Sequence, residues 1–309
     1  RDCFNYFPMC SLWASQGECD GEDRPWMQQN CSPACQTCKS VEFWHRCRID
    51  PDEFPEHEPA YKPGDLGVMF ERIVNDESYA KYDPVVLSRP SQPDNESGEA
   101  AEEANGPWIV RLDNFLTEEE ADKIIALTAN MEFELSQEVS HNFAEDGSYD
   151  DSIKSEGRTS TNSWCDGDCY DDPVATNIRE RIFEITGLGD RNAELFQLLK
   201  YEVGQFYWEH HDYIVPEKNL PSGPRVLTVF MYLNDVEEGG ETAFTTLNIT
   251  VPPKKGAALI WPSVLDEEPN EMDNRTWHEA KAVKKGVKYA VNAWLHLRDF
   301  WSASDNGCN

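Results

Sequence analysis

His210-His211-Asp212 sets two imidazoles and a carboxylate in consecutive positions, and neutral imidazole with carboxylate is a donor set that first-row divalent metals bind. The flanking residues read as a strand. Side chains two apart in a strand leave from the same face, so His210 and Asp212 can chelate one ion while His211 points away. A third ligand, His278, joins them if a distant strand folds back across a closed barrel. Two histidines and one carboxylate on one face of an ion leave positions open for a co-substrate and for oxygen. By itself the pattern is weak, because an exposed histidine beside an acid is commoner than a metal site. The elements that carry these residues must therefore decide.

From Leu195 onward the chain alternates like strands over 195–203, 206–213, 225–233, 241–247, 257–261 and 287–297, separated by Gly, Pro and Asn or Asp. Upstream, Trp108 to Leu112 also alternates. Thr117-x-x-Glu120 then forms a capping box ahead of Ala121, Ile124, Ile125 and Thr128, which share one helical face. A second helix is signalled by Asp172 as N-cap, Pro173 in the first turn, Val174, Ile178, Ile182 and Ile185 inward, and Gly187 as the stop. Helices followed by a run of strands predict an α+β, mainly β domain over 107–309, with helices backing an antiparallel barrel or sandwich. Before it lies a connector, 41–106. That segment is rich in Pro and acid from Asp50 to about Gly64, has helical spacing over Leu66 to Val74, and ends in the linker-like stretch 91–106, SQPDNESGEAAEEANG, which reads as mobile.

The first forty residues obey different rules. Cys3, Cys10, Cys19, Cys31, Cys35 and Cys38 stand among few aliphatic residues, so this stretch cannot bury enough apolar surface to fold without cross-links. Seven of the ten cysteines fall within the first 47 residues, a density expected of an oxidising compartment. Sequons at Asn30, Asn95, Asn248 and Asn274 agree with a glycoprotein of the secretory pathway, in the endoplasmic reticulum or Golgi lumen or secreted. Lys and Arg number 27 against 58 Asp and Glu, a net charge of -31, which repels nucleic acid and anionic membrane surfaces and suits a basic, neutral or flexible polypeptide partner. No apolar run reaches the roughly 18 to 20 residues that span a bilayer, so no membrane anchor is present in this chain. It opens at Arg1 without a hydrophobic leader and reads as a mature or trimmed form.

Several motifs fall in one order: Gly157-Arg158-Thr159-Ser160 before Trp164; Tyr201-x-x-Gly204-Gln205-x-Tyr207-x-x-His210-x-Asp212; Arg225-x-x-Thr228; Tyr232-Leu233-Asn234-Asp235-Val236-Glu237-Glu238-Gly239-Gly240-Glu241-Thr242; and His278 with Gly286, Lys288 and Trp294. Over residues 107 to 298 this pattern resembles the catalytic core of the prolyl 4-hydroxylases. The resemblance implies the double-stranded β-helix (jelly-roll, cupin-like) fold of 2-oxoglutarate oxygenases. It also implies His210, Asp212 and His278 as iron ligands, and Lys288 as the cation for the distal carboxylate of 2-oxoglutarate. Tyr201 and Thr242 match hydroxyl partners of that co-substrate, and Trp294 an aromatic wall. Arg158, Tyr207 and Arg225 match positions facing the peptide channel, although in so acidic a chain internal ion pairing is an alternative for the arginines. The acidic stretch from Ala144 to Gly157 reads as a loop over the channel.

Trp13-Ala14, Gly17-Glu18-Cys19, Trp26-Met27 and the closing CSPACQTC, with the cysteine spacing, resemble the ShK toxin-like (ShKT) domain over residues 1–40. That resemblance implies the pairs Cys3 with Cys38, Cys10 with Cys31, and Cys19 with Cys35; the sequence alone leaves fifteen connectivities open. Channel-blocking members carry a Lys-Tyr dyad where this chain has Arg24-Pro25-Trp26-Met27, so a structural or partner-docking module is expected, open to a protein partner. Cys165 and Cys169 in WCDGDC suit a local disulfide, and Cys47 with Cys308 makes the total even.

The implied activity is procollagen-type peptidyl-proline 4-hydroxylation on a proline-rich polypeptide, with Fe(II), 2-oxoglutarate, O2 and ascorbate, coupled to decarboxylation of 2-oxoglutarate to succinate. Asp212 counts against a halogenase, which lacks the carboxylate. Lys288 counts against a lysyl hydroxylase, whose resembling position carries Arg. Two alternatives stand beside it: a 2-oxoglutarate hydroxylase of another residue or small molecule, and a non-catalytic extracellular binding protein that works through the ShKT module.

Overall fold

The computed structural model describes residues 3–21, 23–38, 43–90, 106–136 and 156–308. Its strands are β1 (Pro84–Ser88), β2 (Ile109–Leu112), β3 (Glu134–Leu135), β4 (Thr161–Trp164), β5 (Gln197–Tyr201), β6 (Tyr207–His210), β7 (Arg225–Tyr232), β8 (Glu238–Gly239), β9 (Thr242–Phe244), β10 (Ile249–Val251), β11 (Ala258–Pro262), β12 (His278–Ala280), β13 (Val283–Lys285) and β14 (Lys288–His296). Eight of them form one sheet in the order β1-β2-β11-β7-β14-β5-β4-β3, four form a second, β10-β9-β12-β6, and β8 pairs with β13. Non-sequential neighbours such as β11-β7-β14-β5, all antiparallel, are the crossed connections of a double-stranded β-helix.

The central strands of the large sheet are apolar on both faces because both faces are covered. Val229 and Met231 of β7, Ala258 and Ile260 of β11, and Val291, Ala293 and Leu295 of β14 pack with the helices Asp65–Asn75, Glu118–Leu127 and Pro173–Thr186. The alternate residues, Phe230, Tyr232, Leu259, Trp261, Ala290, Leu199 and Tyr201, pack with Phe244, Val251 and Ala280 of the small sheet. The period of two thereby places Lys288, Asn292, Trp294 and His296 with Ala290 on the inward face of β14.

The helix boundaries follow local chemistry. Thr117 accepts from the Glu120 amide at 3.1 Å while the Glu120 carboxylate accepts from the Thr117 amide at 2.9 Å, a complete capping box worth about 1 kcal/mol. Glu120 also accepts from both terminal nitrogens of Arg181, at 2.9 and 2.6 Å, which fastens this helix to the next. Asp172 caps that next helix through the Val174 amide at 2.9 Å, and Gly187 ends it at φ +76°. Of the positions expected to face inward, Val174, Ile125 and Thr128 are only half-buried. Thr128 closes its helix by donating to the Ile125 carbonyl.

The stretch read as a connector does more than connect. Leu66, Met69, Phe70 and Ile73 of Asp65–Asn75 are buried against the large sheet, and β1 adds to its edge by pairing with β2. Residues 91 to 105 and 137 to 155, which hold the expected linker and most of the expected channel loop, lie outside the described residues. A further difference is that the strand expected over 206–213 stops at His210. Its partner β12 is short, and the ladder ends at the His278–His210 pair, so Asp212 sits in the turn beyond.

All ten cysteines are paired. The N-terminal module has Cys3–Cys38, Cys10–Cys31 and Cys19–Cys35 around a small core of Cys10, Met27 and Cys31. Cys165–Cys169 closes a local loop, and Cys47–Cys308 joins the segment after the module to the last turn of the chain. No helix among the described residues is long and apolar enough to cross a membrane.

Candidate active site

His210 ends β6 directly opposite His278 at the start of β12, which brings residues 68 apart in sequence to a ring separation of 4.2 Å. Asp212 follows in the turn, and its Oδ2 accepts from the Thr228 hydroxyl at 2.6 Å, a hydrogen bond that fixes the carboxylate from β7. The same oxygen lies 3.7 Å from His278 Nε2. One ligand atom from each of the three residues lies within 4.8 Å of the others. The histidine tautomers follow from their neighbours. His210 Nδ1 is 2.7 Å from the Trp208 carbonyl and His278 Nδ1 is 3.0 Å from the Thr276 carbonyl. A carbonyl only accepts, so each Nδ1 carries the proton and each Nε2 keeps a lone pair.

Burial, then the neighbouring His278, hold the His210 pKa well below its ordinary value, which keeps the ring neutral. Burial pushes the Asp212 carboxyl up, but the two imidazoles and the Thr228 hydroxyl outweigh it and hold it below the usual carboxylate range. Two imidazoles that present Nε2 and one carboxylate form a set that can hold a ferrous ion with positions open. His211 is turned away as expected. Its Nδ1 accepts from the Tyr213 amide, leaving Nε2 to donate to the Asp273 carbonyl at 3.0 Å, and so it fastens the turn that precedes His278.

Lys288 begins β14 opposite Tyr201 of β5 and is wholly buried. Its Nζ has no hydrogen-bond partner among the described residues and faces the rings of Phe230, Tyr201 and Tyr232 at 5.0, 5.2 and 5.5 Å. Burial lowers its pKa to about 7. An ammonium left without a partner in such a place costs several kcal/mol, so the site calls for an anion. Thr242 pairs across the small sheet with Ala280, two residues along from His278 on the same face, a step of about 7 Å. Its hydroxyl accepts from Tyr232 at 2.8 Å. A dicarboxylate that reaches from the His210, Asp212 and His278 cluster toward Lys288 therefore meets the side chains of both sheets.

Glycines 239 and 240 let the chain turn here. Both have positive φ, +81° and +75°. A Cβ on Gly239 would stand 2.3 Å from the Ala282 carbonyl oxygen, and one on Gly240 would stand 3.4 Å from Lys288 Cδ.

Trp294 is buried on the same face of β14, and its Nε1 has no hydrogen-bond partner among the described residues. The Arg225 guanidinium lies 3.7 Å over its ring and is paired with Glu194, at 3.1 Å for the Nη2 to Oε2 contact. Glu194 also takes a hydrogen bond from His296 Nε2 at 2.9 Å, while His296 Nδ1 donates to the Gly223 carbonyl at 2.8 Å. With acceptors at both nitrogens, His296 is a cation. Its pKa is raised by Glu194 despite burial, and Glu194, in spite of burial, is held down to about 2 by Arg225 and His296.

Arg158 donates to the Gln197 side-chain oxygen at 2.9 Å and lies 4.5 Å over the Tyr207 ring, which stacks on His210 at 3.5 Å. All ten residues singled out in the sequence thus belong to the interior of the barrel or its immediate rim. Glu194, Gln197 and His296 are not singled out by the sequence, and Thr228 stands there only as a motif residue without a role. His296 shares the parity of Lys288 and Trp294 on one strand, which is the signal that identifies it; Glu194 precedes the strand region and carries no such signal.

Residues 196–296 match the model of the 2OG-Fe(II) oxygenase superfamily, and residues 2–38 match that of ShK domain-like sequences. Prolyl 4-hydroxylase subunit alpha-2 of Gallus gallus is 33% identical over 200 residues, which are 64% of this chain and 35% of that protein. A protein of Arabidopsis thaliana named "Probable prolyl 4-hydroxylase 8" is 33% identical over 207 residues, 60% of this chain and 68% of that protein. The chain thus spans about a third of the alpha subunit it matches and two thirds of the plant protein. Among solved structures, a viral collagen prolyl hydroxylase from Paramecium Bursaria Chlorella virus-1, as a 2OG complex, aligns over 61% of this chain and 95% of that one at 25% identity and TM-score 0.47. At that score the fold assignment rests on the strand order itself.

Proposed function

The chain belongs to the prolyl 4-hydroxylase family, and from that premise we propose that it hydroxylates proline within polypeptides at the site around His210, Asp212 and His278. The observation that carries this reading is Lys288, a fully buried ammonium with no hydrogen-bond partner among the described residues, in the same interior as three converging metal-type ligands. A bare anion-seeking cation next to a ligand triad has no packing rationale and is what a 2-oxoglutarate site requires.

In this reading His210 Nε2, His278 Nε2 and an Asp212 oxygen hold Fe(II), and Lys288 takes the distal carboxylate of 2-oxoglutarate with Tyr201 and Thr242 close by. Bound iron and 2-oxoglutarate supply the oxidising chemistry: the keto acid is decarboxylated to succinate, one atom of O2 enters the succinate, and the other becomes the new hydroxyl on the proline ring. Ascorbate serves to keep the metal ferrous. The protein's own work is positional. Thr228 holds Asp212 in its ligating orientation, and the carbonyls of Trp208 and Thr276 hold the two imidazoles. Phe244 and Trp261 crowd His278 at ring separations of 5.7 and 4.9 Å and keep water from that side. Tyr207, Arg158 and Arg225 orient the peptide, with the Arg225 plane fixed by Glu194 and Trp294.

The domain reading is a small ShKT module followed by the oxygenase, and the five disulfides support residence in the lumen of the secretory pathway. The test is incubation of the purified chain with Fe(II), 2-oxoglutarate, ascorbate and a panel of proline-containing peptides. The expected result is succinate formed in step with a gain of one oxygen on a proline ring. Oxygen found on another residue type, or no turnover of 2-oxoglutarate with any peptide, overturns the reading.

A further inference from the structure

The N-terminal module displays its aromatic side chains outward. Six of the twelve exposed large hydrophobic side chains of the described residues belong to it. Three rings, Phe7, Trp13 and Trp26, form one cluster with centroid separations of 5.0 Å (Phe7–Trp26), 5.8 Å (Trp13–Trp26) and 6.2 Å (Phe7–Trp13). Trp13 is half-buried against the disulfide core, whereas Phe7 and Trp26 remain 40% and 43% exposed. Met9 lies four residues before Trp13, with the Trp13 amide bonded to the Met9 carbonyl, so it extends the same face, and it is 44% exposed. The module's buried core is Cys10, Met27 and Cys31, with Trp13, Cys19, Ala34 and Cys35 packed against it. Phe7 and Trp26, exposed and set at tilted and edge-on angles around Trp13, lie outside the buried core, as a ligand face does.

We propose that Phe7, Trp13 and Trp26 form a docking face for a basic, proline-rich polypeptide, the same chain whose prolines the barrel oxidises. The proposal rests on the hydroxylase reading of the barrel. Two features select this occupant. Proline-rich segments adopt the extended polyproline helix without help and lay their rings on clustered aromatic side chains, which is the geometry displayed here. The electrostatics select basic character. Glu18, Asp20 and Asp23 stand against Arg24 around the helix that carries Trp26, and the whole chain has a net charge of -31. A long substrate held at this face keeps its remaining prolines at high effective concentration near the barrel, with no change in the chemistry.

The experiment compares a long synthetic polypeptide of repeated proline- and lysine-containing units with a single-unit peptide, on the wild-type chain and on Phe7→Ser/Trp26→Ser. In the wild type the KM per unit is expected to be roughly tenfold lower for the long substrate, and the double variant is expected to lose that advantage while its kcat and KM for the short peptide stay unchanged. Added salt is expected to weaken the advantage in the wild type. Should the double variant not fold, Met9→Lys, on the exposed end of the same face, carries the same test. An unchanged long-substrate KM in the folded variants overturns the proposal. So does a variant whose only defect is in self-association or in binding to lipid vesicles, since the face would then serve a second copy or a membrane. Failure of the wild type to hydroxylate either substrate instead strikes the reading of the barrel.

Discussion

Under the proposed function, Asp212 and Lys288 separate two requirements of the site, the metal and the co-substrate. Asp212 brings the sole carboxylate to the three-ligand cluster, so Asp212→Ala is expected to lower turnover at least about a hundredfold, since even outer partners of metal ligands act on that scale. Fe(II) titration should show the same loss, and normal iron affinity in the variant would remove the assignment. Lys288→Met should instead leave iron binding intact and raise the KM for 2-oxoglutarate by about tenfold or more, the scale of one lost charge-assisted hydrogen bond. The same lysine predicts a pH effect. Its folded pKa is about 7 against 10.5 unfolded, so between those values the unfolded chain binds more protons and stability rises with pH. Below pH 7 the full cost of burying the charge applies, of order 5 kcal/mol. Lys288→Met should therefore be more stable than wild type at pH 7 in the metal-free protein, and urea titrations should show the gap closing toward pH 10. A gap that does not change with pH would mean that the ammonium is compensated in the fold. Once iron is bound, a given concentration of 2-oxoglutarate should stabilise the wild type more than the variant.

At the scale of elements, the site is a consequence of register. The alternation that gives β14 an apolar outer face also gives it an inner face of Lys288, Asn292, Trp294 and His296, and the β12–β6 ladder sets His278 opposite His210. Much of this is legible, because long strands advertise themselves: β5, β7 and β14 fall inside the ranges read from alternation, and β11 runs one residue past its range. Of the short ones, β2, β6 and β9 also lie within ranges that alternate, and others do not. The three residues of β10, β12 and β13 give too little pattern to recognise, and they exist because neighbouring strands supply the hydrogen bonds. The helix Asp65–Asn75 shows as helical spacing over Leu66 to Val74, and β1 does not show at all; both lie within the expected connector, and tertiary packing draws both onto the large sheet. The Glu194 hub was illegible for a related reason: its partners, Arg225 and His296, are distant in sequence and only β7–β14 pairing brings them together. Glu194→Gln leaves Arg225 and His296 as buried cations with a neutral partner, which should cost about 3 kcal/mol of stability. If the hub holds Arg225 for the peptide, the peptide KM should rise while the KM for 2-oxoglutarate stays fixed. A rise in both, or in neither, would limit Glu194 to a structural role.

Across the whole molecule, one covalent link decides how the two ends of the chain are held. Cys47–Cys308 closes a separation of 261 residues, and the residues around it, Phe43, Leu220 and Ala303, form their own small apolar cluster. Such a long loop removes much freedom from the unfolded chain, about 5 kcal/mol in the chain-entropy account. The link acts at a distance from the chemistry, since β6, β12 and β14 are packed by the barrel's own core. The double substitution Cys47→Ser/Cys308→Ser, with the other four disulfides kept oxidised, should therefore lower the urea midpoint of the barrel by an amount corresponding to about 3 to 5 kcal/mol. Turnover of a short peptide well below that midpoint should stay near the wild-type value. A substrate long enough to reach both the module and the barrel gains from the short tether that the link leaves between them, so its KM should rise toward that of the short peptide. An unchanged urea midpoint would mean that the apolar cluster alone suffices to pin the ends.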